Sequence, residues 1–194
     1  MKKSIYYSLL ISAMVSVSVA EETRQVDKHE HGVGELNIAI EGNAIDFEFF
    51  IPGADIVGFE YEAKTESDIA LVNAALEKFG NFDNIFSLPE SSNCNLVNSE
   101  IGVNQDDDHD EHDEHDEHDD HDDHDDHDEE AHNEFVAHYS FNCENIKEID
   151  RISFPYFTNF PNSGELEVQF VSEKGSTGFE VEGDEPFIDL KGKI

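Results

Sequence analysis

Between Asp106 and Glu130 every residue is either acidic or histidine, with 18 carboxylates and 7 imidazoles in 25 positions. No other feature constrains the fold as much, because a segment without apolar side chains has nothing to bury against the entropy of ordering it. The stretch is predicted to be a disordered insert when free of ligand, so the core must come from its two flanks. It also concentrates the charge of the chain. The 194 residues hold 47 Asp plus Glu against 11 Lys plus Arg, a formal charge of −36 with histidines neutral. That field argues against a nucleic-acid partner, since phosphate binding needs clustered cations. Outside the tract the apolar content is that of an ordinary globular domain, rich in Phe and without Trp.

Met1 to Ala20 carries Lys2 and Lys3, an apolar run from Ile5 to Val17, and then Ser18-Val19-Ala20, which is small where a signal peptidase reads. Residues 1–20 read as a signal peptide cleaved after Ala20. A run of about 13 apolar residues is too short to anchor the chain across a ~30 Å hydrocarbon core. With no other segment apolar enough to span a membrane, residues 21–194 are expected to be one soluble, extracytoplasmic domain interrupted by residues 106–130. In an exported chain the even cysteine count, Cys94 and Cys143, reads first as a disulfide. Two separate buried thiols are the alternative. A bridge closes a loop of about 50 residues, worth on the order of 4 kcal/mol in the chain-entropy picture, and is expected to staple the base of the tract it brackets.

From Gly34 the pattern alternates, with Leu36, Ile38 and Ile40 on one side and Glu35, Asn37 and Glu41 on the other. Gly42-Asn43 is a turn signal, after which Ile45, Phe47, Phe49 and Ile51 continue the alternation until Pro52-Gly53, so a β-hairpin is predicted. Thr65 with Asp68 has the form of a capping box, and Ile69, Val72, Leu76 and Phe79 fall on one helical face before Gly80. A turn-rich stretch through Pro89, a short strand from Cys94 to Ile101, and a strand with Phe135, Ala137, Tyr139, Phe141 and Cys143 inward follow. A helical turn is expected within residues 144–150. Glu165 to Val171 alternates again, and Lys174-Gly175 turns into a partner strand carrying Phe179 and Val181. Tight turns between strands favour antiparallel pairing. The expected fold class is α+β, a mainly antiparallel sheet with one main helix packed on it.

His109, His112, His115, His118, His121, His124 and His127 recur at every third residue, each followed by Asp. Imidazole suits Zn, Cu, Ni and Fe, whereas a calcium site needs no histidine and has the glycine-containing EF-hand loop that is missing here. Carboxylates raise the local cation concentration and hold the second ring nitrogen of a ligating histidine. The tract therefore reads as a collector of divalent transition metals, with a solvated spacer as the bland alternative. Because binding must order the chain, its affinity per ion is expected to be modest. Ordered sites have to use the other histidines. His29 and His31, at i and i+2 of an extended chain, face the same side, as do His132 and Glu134. His138 follows on the same polar strand face, about 20 Å from His132. An exposed polar face is the plain alternative for those three.

Catalytic signatures fail. His29-Glu30 lacks the second histidine of H-E-x-x-H, His132-Asn133-Glu134 lacks the paired cysteines of a zinc deaminase, and Gly32-Val33-Gly34 precedes a strand rather than a helix. No enzyme activity is expected.

The series His29-Glu30-His31-Gly32-Val33-Gly34-Glu35-Leu36-Asn37, Ile56-Val57-Gly58-Phe59-Glu60-Tyr61, Cys94, the His/Asp/Glu-rich insert, Tyr139-x-Phe141-x-Cys143 and Phe160-Pro161 leading into Glu165-Leu166-Glu167-Val168 resembles the ZrgA-type periplasmic zinc-binding proteins that accompany bacterial zinc uptake systems. The resemblance spans nearly the whole chain after residue 20. It implies a periplasmic protein that binds Zn²⁺ and aids zinc import beside an ABC-type importer, with its solute-binding component or permease as partner. It also supports the Cys94 to Cys143 bridge and favours His29, His31 and His132 as ordered ligands. Members often carry His where this chain has Tyr61, which puts that contribution in doubt. A buffer that sequesters excess Zn, Cu or Ni without delivery, and a zinc-dependent enzyme, are the competing readings.

Overall fold

The computed structural model describes residues 32–105 and 133–194. The expected signal peptide, His29, His31, the tract with its seven histidines, and His132 lie outside the described residues.

The alternating residues after Gly32 build two paired strands, β1 (Val33–Glu41) and β2 (Ala44–Pro52), in the register Ile38↔Phe47. A short helix, α1 (Gly53–Val57), ends on Gly58 in the left-handed region. The main helix, α2 (Glu66–Phe79), starts where the capping box places it, with Thr65 Oγ1 accepting from the Asp68 N–H at 3.1 Å. Its inward face is the expected one except in the first turn: Phe79 is buried and Val72 and Leu76 pack against the core, whereas Ile69 is 45% exposed. Contact with the core begins at Val72, so Ile69 in the first turn stays largely in solvent.

Strand β3 (Cys94–Gln105) runs past Ile101, because the ladder to β4 (Asn133–Cys143) continues to Gln105↔Asn133. Beyond β4 come a 3₁₀ turn at Ile146–Glu148, inside the span expected to turn helically, then β5 (Arg151–Ser153) and α3 (Tyr156–Asn159). The chain ends with β6 (Glu165–Ser172), β7 (Gly175–Glu182) and β8 (Phe187–Asp189). The main sheet has the order β3-β4-β2-β1-β6-β7, and β5 pairs with β8 separately. Every pair is antiparallel except β1 with β6. The fold class is the expected α+β, a mainly antiparallel sheet with one main helix on it. The parallel pair arises because residues 144–164 recross the inner face after β4, so that β6 starts at the same end as β1.

Leu36, Ile38, Phe47, Phe49, Phe135, Tyr139, Leu166, Val168 and Phe170 line the inner face and are buried. Phe86 caps them, stacked on Phe47 at 4.1 Å between ring centroids and edge-on to Tyr139 and Phe141. Tyr139 Oη donates to the Phe79 carbonyl at 2.6 Å, which locks α2 to β4.

The disulfide Cys94–Cys143 is present and joins registered partners of β3 and β4. It does not staple the base of the tract. The base is Gln105↔Asn133, at the opposite end of the ladder and about 36 Å away at ~3.3 Å per residue. Order along the chain shows that the cysteines bracket the tract, but not that eleven residues of strand separate them from it.

Candidate metal centre

The tract joins two neighbouring strands at one end of the sheet. Pro52 is registered with Glu134, Val33 with Glu165, and Glu165 with Glu182, so the open ends of β1, β2, β6 and β7 lie at this same end. Two segments leave the described body here. One precedes Gly32 and the other precedes Asn133, the neighbours in sequence of His31 and His132.

Both stems are held by the segment between residues 53 and 61. The Gly32 N–H donates to Asp55 Oδ1 at 2.9 Å, while the Gly32 carbonyl accepts from Gly164 and Glu165 at 2.9 and 2.8 Å. Gly32 has φ of +90°, which explains a glycine directly after the His29-Glu30-His31 run, since side chains with Cβ disfavour that conformation. Asn133 donates from its backbone N–H to Glu60 O at 2.8 Å and from Nδ2 to Tyr61 O at 2.9 Å. Its Oδ1 lies against Gly53, where a Cβ would come within 1.7 Å of it and within 2.7 Å of Phe59 O. Gly53 is therefore required by close approach. Asp55 and Asn133 are 4% and 3% exposed, so both polar side chains are removed from water at the foot of the histidine-bearing segments.

The environment is negative. On the outward face Glu35 stands opposite Glu167 and Glu167 opposite Glu180, with Glu165 opposite Glu182. Like charges directly across strands destabilise a sheet, yet they deepen the potential that draws cations to this end. Tyr156 Oη is 2.6 Å from Ser163 Oγ. Burial pushes the Tyr156 phenol up, the Ser163 hydrogen bond opposes this, and the charge of Asp55 pushes it further up.

Of the residues named from the sequence, Glu134 is the second residue of β4, next to Asn133 at the tract base. His138 shares its strand face but lies about 13 Å further along at ~3.3 Å per residue. It is registered between Glu48 and Glu100, with Nε2 3.7 Å from Asp46 Oδ1, and Asp46 also accepts from Ser140 Oγ. Among the described residues no group of three or more His, Cys, Asp or Glu is arranged to hold a metal ion. Sequence reasoning missed Asp55, Glu60 and Asn133. Only the Pro52-Gly53 break could have flagged Asp55, two residues beyond it. Tyr61 stacks on Phe59 at 4.6 Å and offers its carbonyl to Asn133, so position 61 borders the same corner.

The family model described as ZrgA family zinc uptake protein matches residues 28–190. The chain belongs to this family. The match runs from the residue before His29 to the end of the small β5–β8 sheet, so it takes in the folded body and the segments at its open end. Membership of the ZrgA family ties the protein to zinc uptake. No curated protein matches the chain. Among the described residues no helix is long and apolar enough to cross a membrane.

Proposed function

We propose that this ZrgA family member captures Zn²⁺ in the periplasm and aids its import by supplying an ABC-type zinc uptake system, through the solute-binding component or permease, without catalysis of its own. The seven tract histidines collect ions. An ordered site at the open end of the sheet, with His29, His31 and His132 as imidazole donors and Glu134 beside them, holds an ion for transfer. His138 belongs to a separate surface cluster with Asp46.

One observation carries this reading: the stems next to His31 and His132 are tied to the same short segment, through Asp55 and through Glu60 and Tyr61. Ligands far apart in sequence form a site only if the fold brings their attachments together. A donor set of imidazole and carboxylate suits Zn²⁺, although Cu²⁺ binds such sites more tightly on intrinsic affinity.

Calorimetric titration of Zn²⁺ into the chain after residue 20, and into the same chain lacking Asp106 to Glu130, tests it. The deletion is expected to lower the number of ions bound while one tight site survives. Loss of every tight site with the tract would overturn the ordered centre. Growth of a strain lacking the protein separates import from sequestration. Poor growth under zinc starvation supports import, and sensitivity to excess metal alone rejects it.

A further inference from the structure

We propose that His138, Asp46 and one of the two carboxylates registered beside the imidazole, Glu48 or Glu100, form a second Zn²⁺ site, on the outward face of the sheet and apart from its open end. His138 is the one histidine among the described residues. Its place in β4 sets it directly between Glu48 of β2 and Glu100 of β3. Side chains in direct register stand about 5 Å apart at Cβ, so a carboxylate flanks the imidazole on each side. Asp46 reaches in from the next row, with its Oδ1 3.7 Å from His138 Nε2. That gap is too long for a charge-assisted hydrogen bond, which closes to about 2.8 Å. It is near the spacing of about 3.4 Å between two donors that each sit about 2.0–2.1 Å from a tetrahedral Zn²⁺. As the side chains stand no third donor joins the pair, so an ion completes its shell when Glu48 or Glu100 turns toward it, and with water.

Two features set this cluster apart from an ordinary polar strand face. The first is a missing counter-charge. None of the six strands of the main sheet contains Lys or Arg, so the carboxylates around His138 have no cation on their own sheet and attract one from solution. With an imidazole at its centre, the set favours Zn²⁺ over Mg²⁺ or Ca²⁺, which carboxylates alone would serve. The second is the way the carboxylates are held. Ser140 Oγ donates to Asp46 Oδ1, and Asn98 Nδ2 donates to Glu100 Oε1 at 3.2 Å. Ser140 and Asn98 are themselves registered partners, one row along from His138 and Glu100. Hydrogen bonds of this kind orient ligating carboxylates. The side chains of His138 and Asp46 are 34% and 41% exposed, so the site is open to solvent and exchanges its ion readily.

The test is footprinting of the chain after residue 20 with its tract intact. Diethyl pyrocarbonate modifies accessible imidazoles, a bound ion blocks the ring nitrogen, and fragment-ion mass spectrometry scores His138 apart from the tract histidines. Zn²⁺ is expected to slow modification of His138, and Mg²⁺ over the same range to leave it unchanged. The Zn²⁺ concentration giving half protection, measured for each variant against its own ion-free rate, should rise about tenfold or more in Asp46→Asn. The pair Glu48→Gln with Glu100→Gln should raise it as well. Glu167→Gln removes a charge from the same face, two strands from Glu48, and should leave it near the wild-type value. An unprotected His138 in the wild-type chain would overturn the site. So would protection that Mg²⁺ matches, protection that neither the Asp46 nor the Glu48 and Glu100 variants weaken, or an equal rise in Glu167→Gln, which would reduce the effect to the general field. Unfolding midpoints check that each variant is folded, and should Asp46→Asn fail to fold, the Glu48 and Glu100 pair carries the test. No residue of the open end or the tract takes part in this site, so its failure leaves the function proposed above standing.

Discussion

The two ends of the β3–β4 ladder are closed in different ways. At one end Cys94 and Cys143 are covalently joined, with Cys143 buried and Ile146 and Ile149 packed into the core nearby. At the other, Gln105 and Asn133 are joined by the ladder alone, and the neighbouring contacts are polar. Of the three buried polar or charged side chains among the described residues, Asp55, Ser92 and Asn133, two stand at this second end. Buried polar groups are costly unless hydrogen-bonded, so an end that collects them is specified for something other than stability. The disulfide end holds the sheet together, and the open end sets where its appended segments begin.

That division is testable. Replacing Cys94 and Cys143 together by Ser is expected to cost about 2–5 kcal/mol in urea unfolding, with tight Zn²⁺ affinity unchanged in the folded protein. A fall in affinity would show that the ends are not independent. Gly53→Ala should reverse the pattern. Displacing Asn133 is expected to cost about 1–3 kcal/mol by thermal unfolding, and chelator competition should show a loss of affinity out of proportion to that cost. Alkali probes the core through Tyr139 and Tyr156, whose phenols burial pushes up. The fold keeps these protons where the unfolded chain releases them. Stability is therefore full below about pH 10 and falls as pH rises, by about 1.4 kcal/mol per pH unit for each phenol. Denaturation midpoints across that range should show a shallower fall in Tyr156→Phe. The smallest effect is a gain. Glu167→Gln removes the charge between Glu35 and Glu180 and should add about 0.2–1 kcal/mol, an increment that shrinks in high salt.

The first hairpin was legible because Leu36 to Ile51 alternates with period two around Gly42-Asn43, and the Thr65 cap because the oxygen needed at that position was visible. The Cys94 to Cys143 pairing also followed from residue types. The parallel contact of β1 with β6 did not, since residues 144–164 recross the sheet through a 3₁₀ turn, a three-residue strand and one turn of helix, none with a period long enough to read. Ile69 misled because helical spacing says which residues share a face, not how much of that face finds a partner. In the candidate centre, Glu134 could be named from its place after His132. Asp55 could not: one carboxylate among 47 acidic residues is distinguished only by burial.

The register Gln105↔Asn133 means that the 27 residues between them begin and end on adjacent strands. Loop closure between fixed neighbours grows only logarithmically with length, by about 0.6 kcal/mol for each doubling. The number of His-Asp repeats is thereby released from the geometry of the body, and repeats can be gained or lost without moving a residue of the sheet. Under the collecting role proposed for the tract, capacity is a matter of chain length, adjustable in steps of three residues.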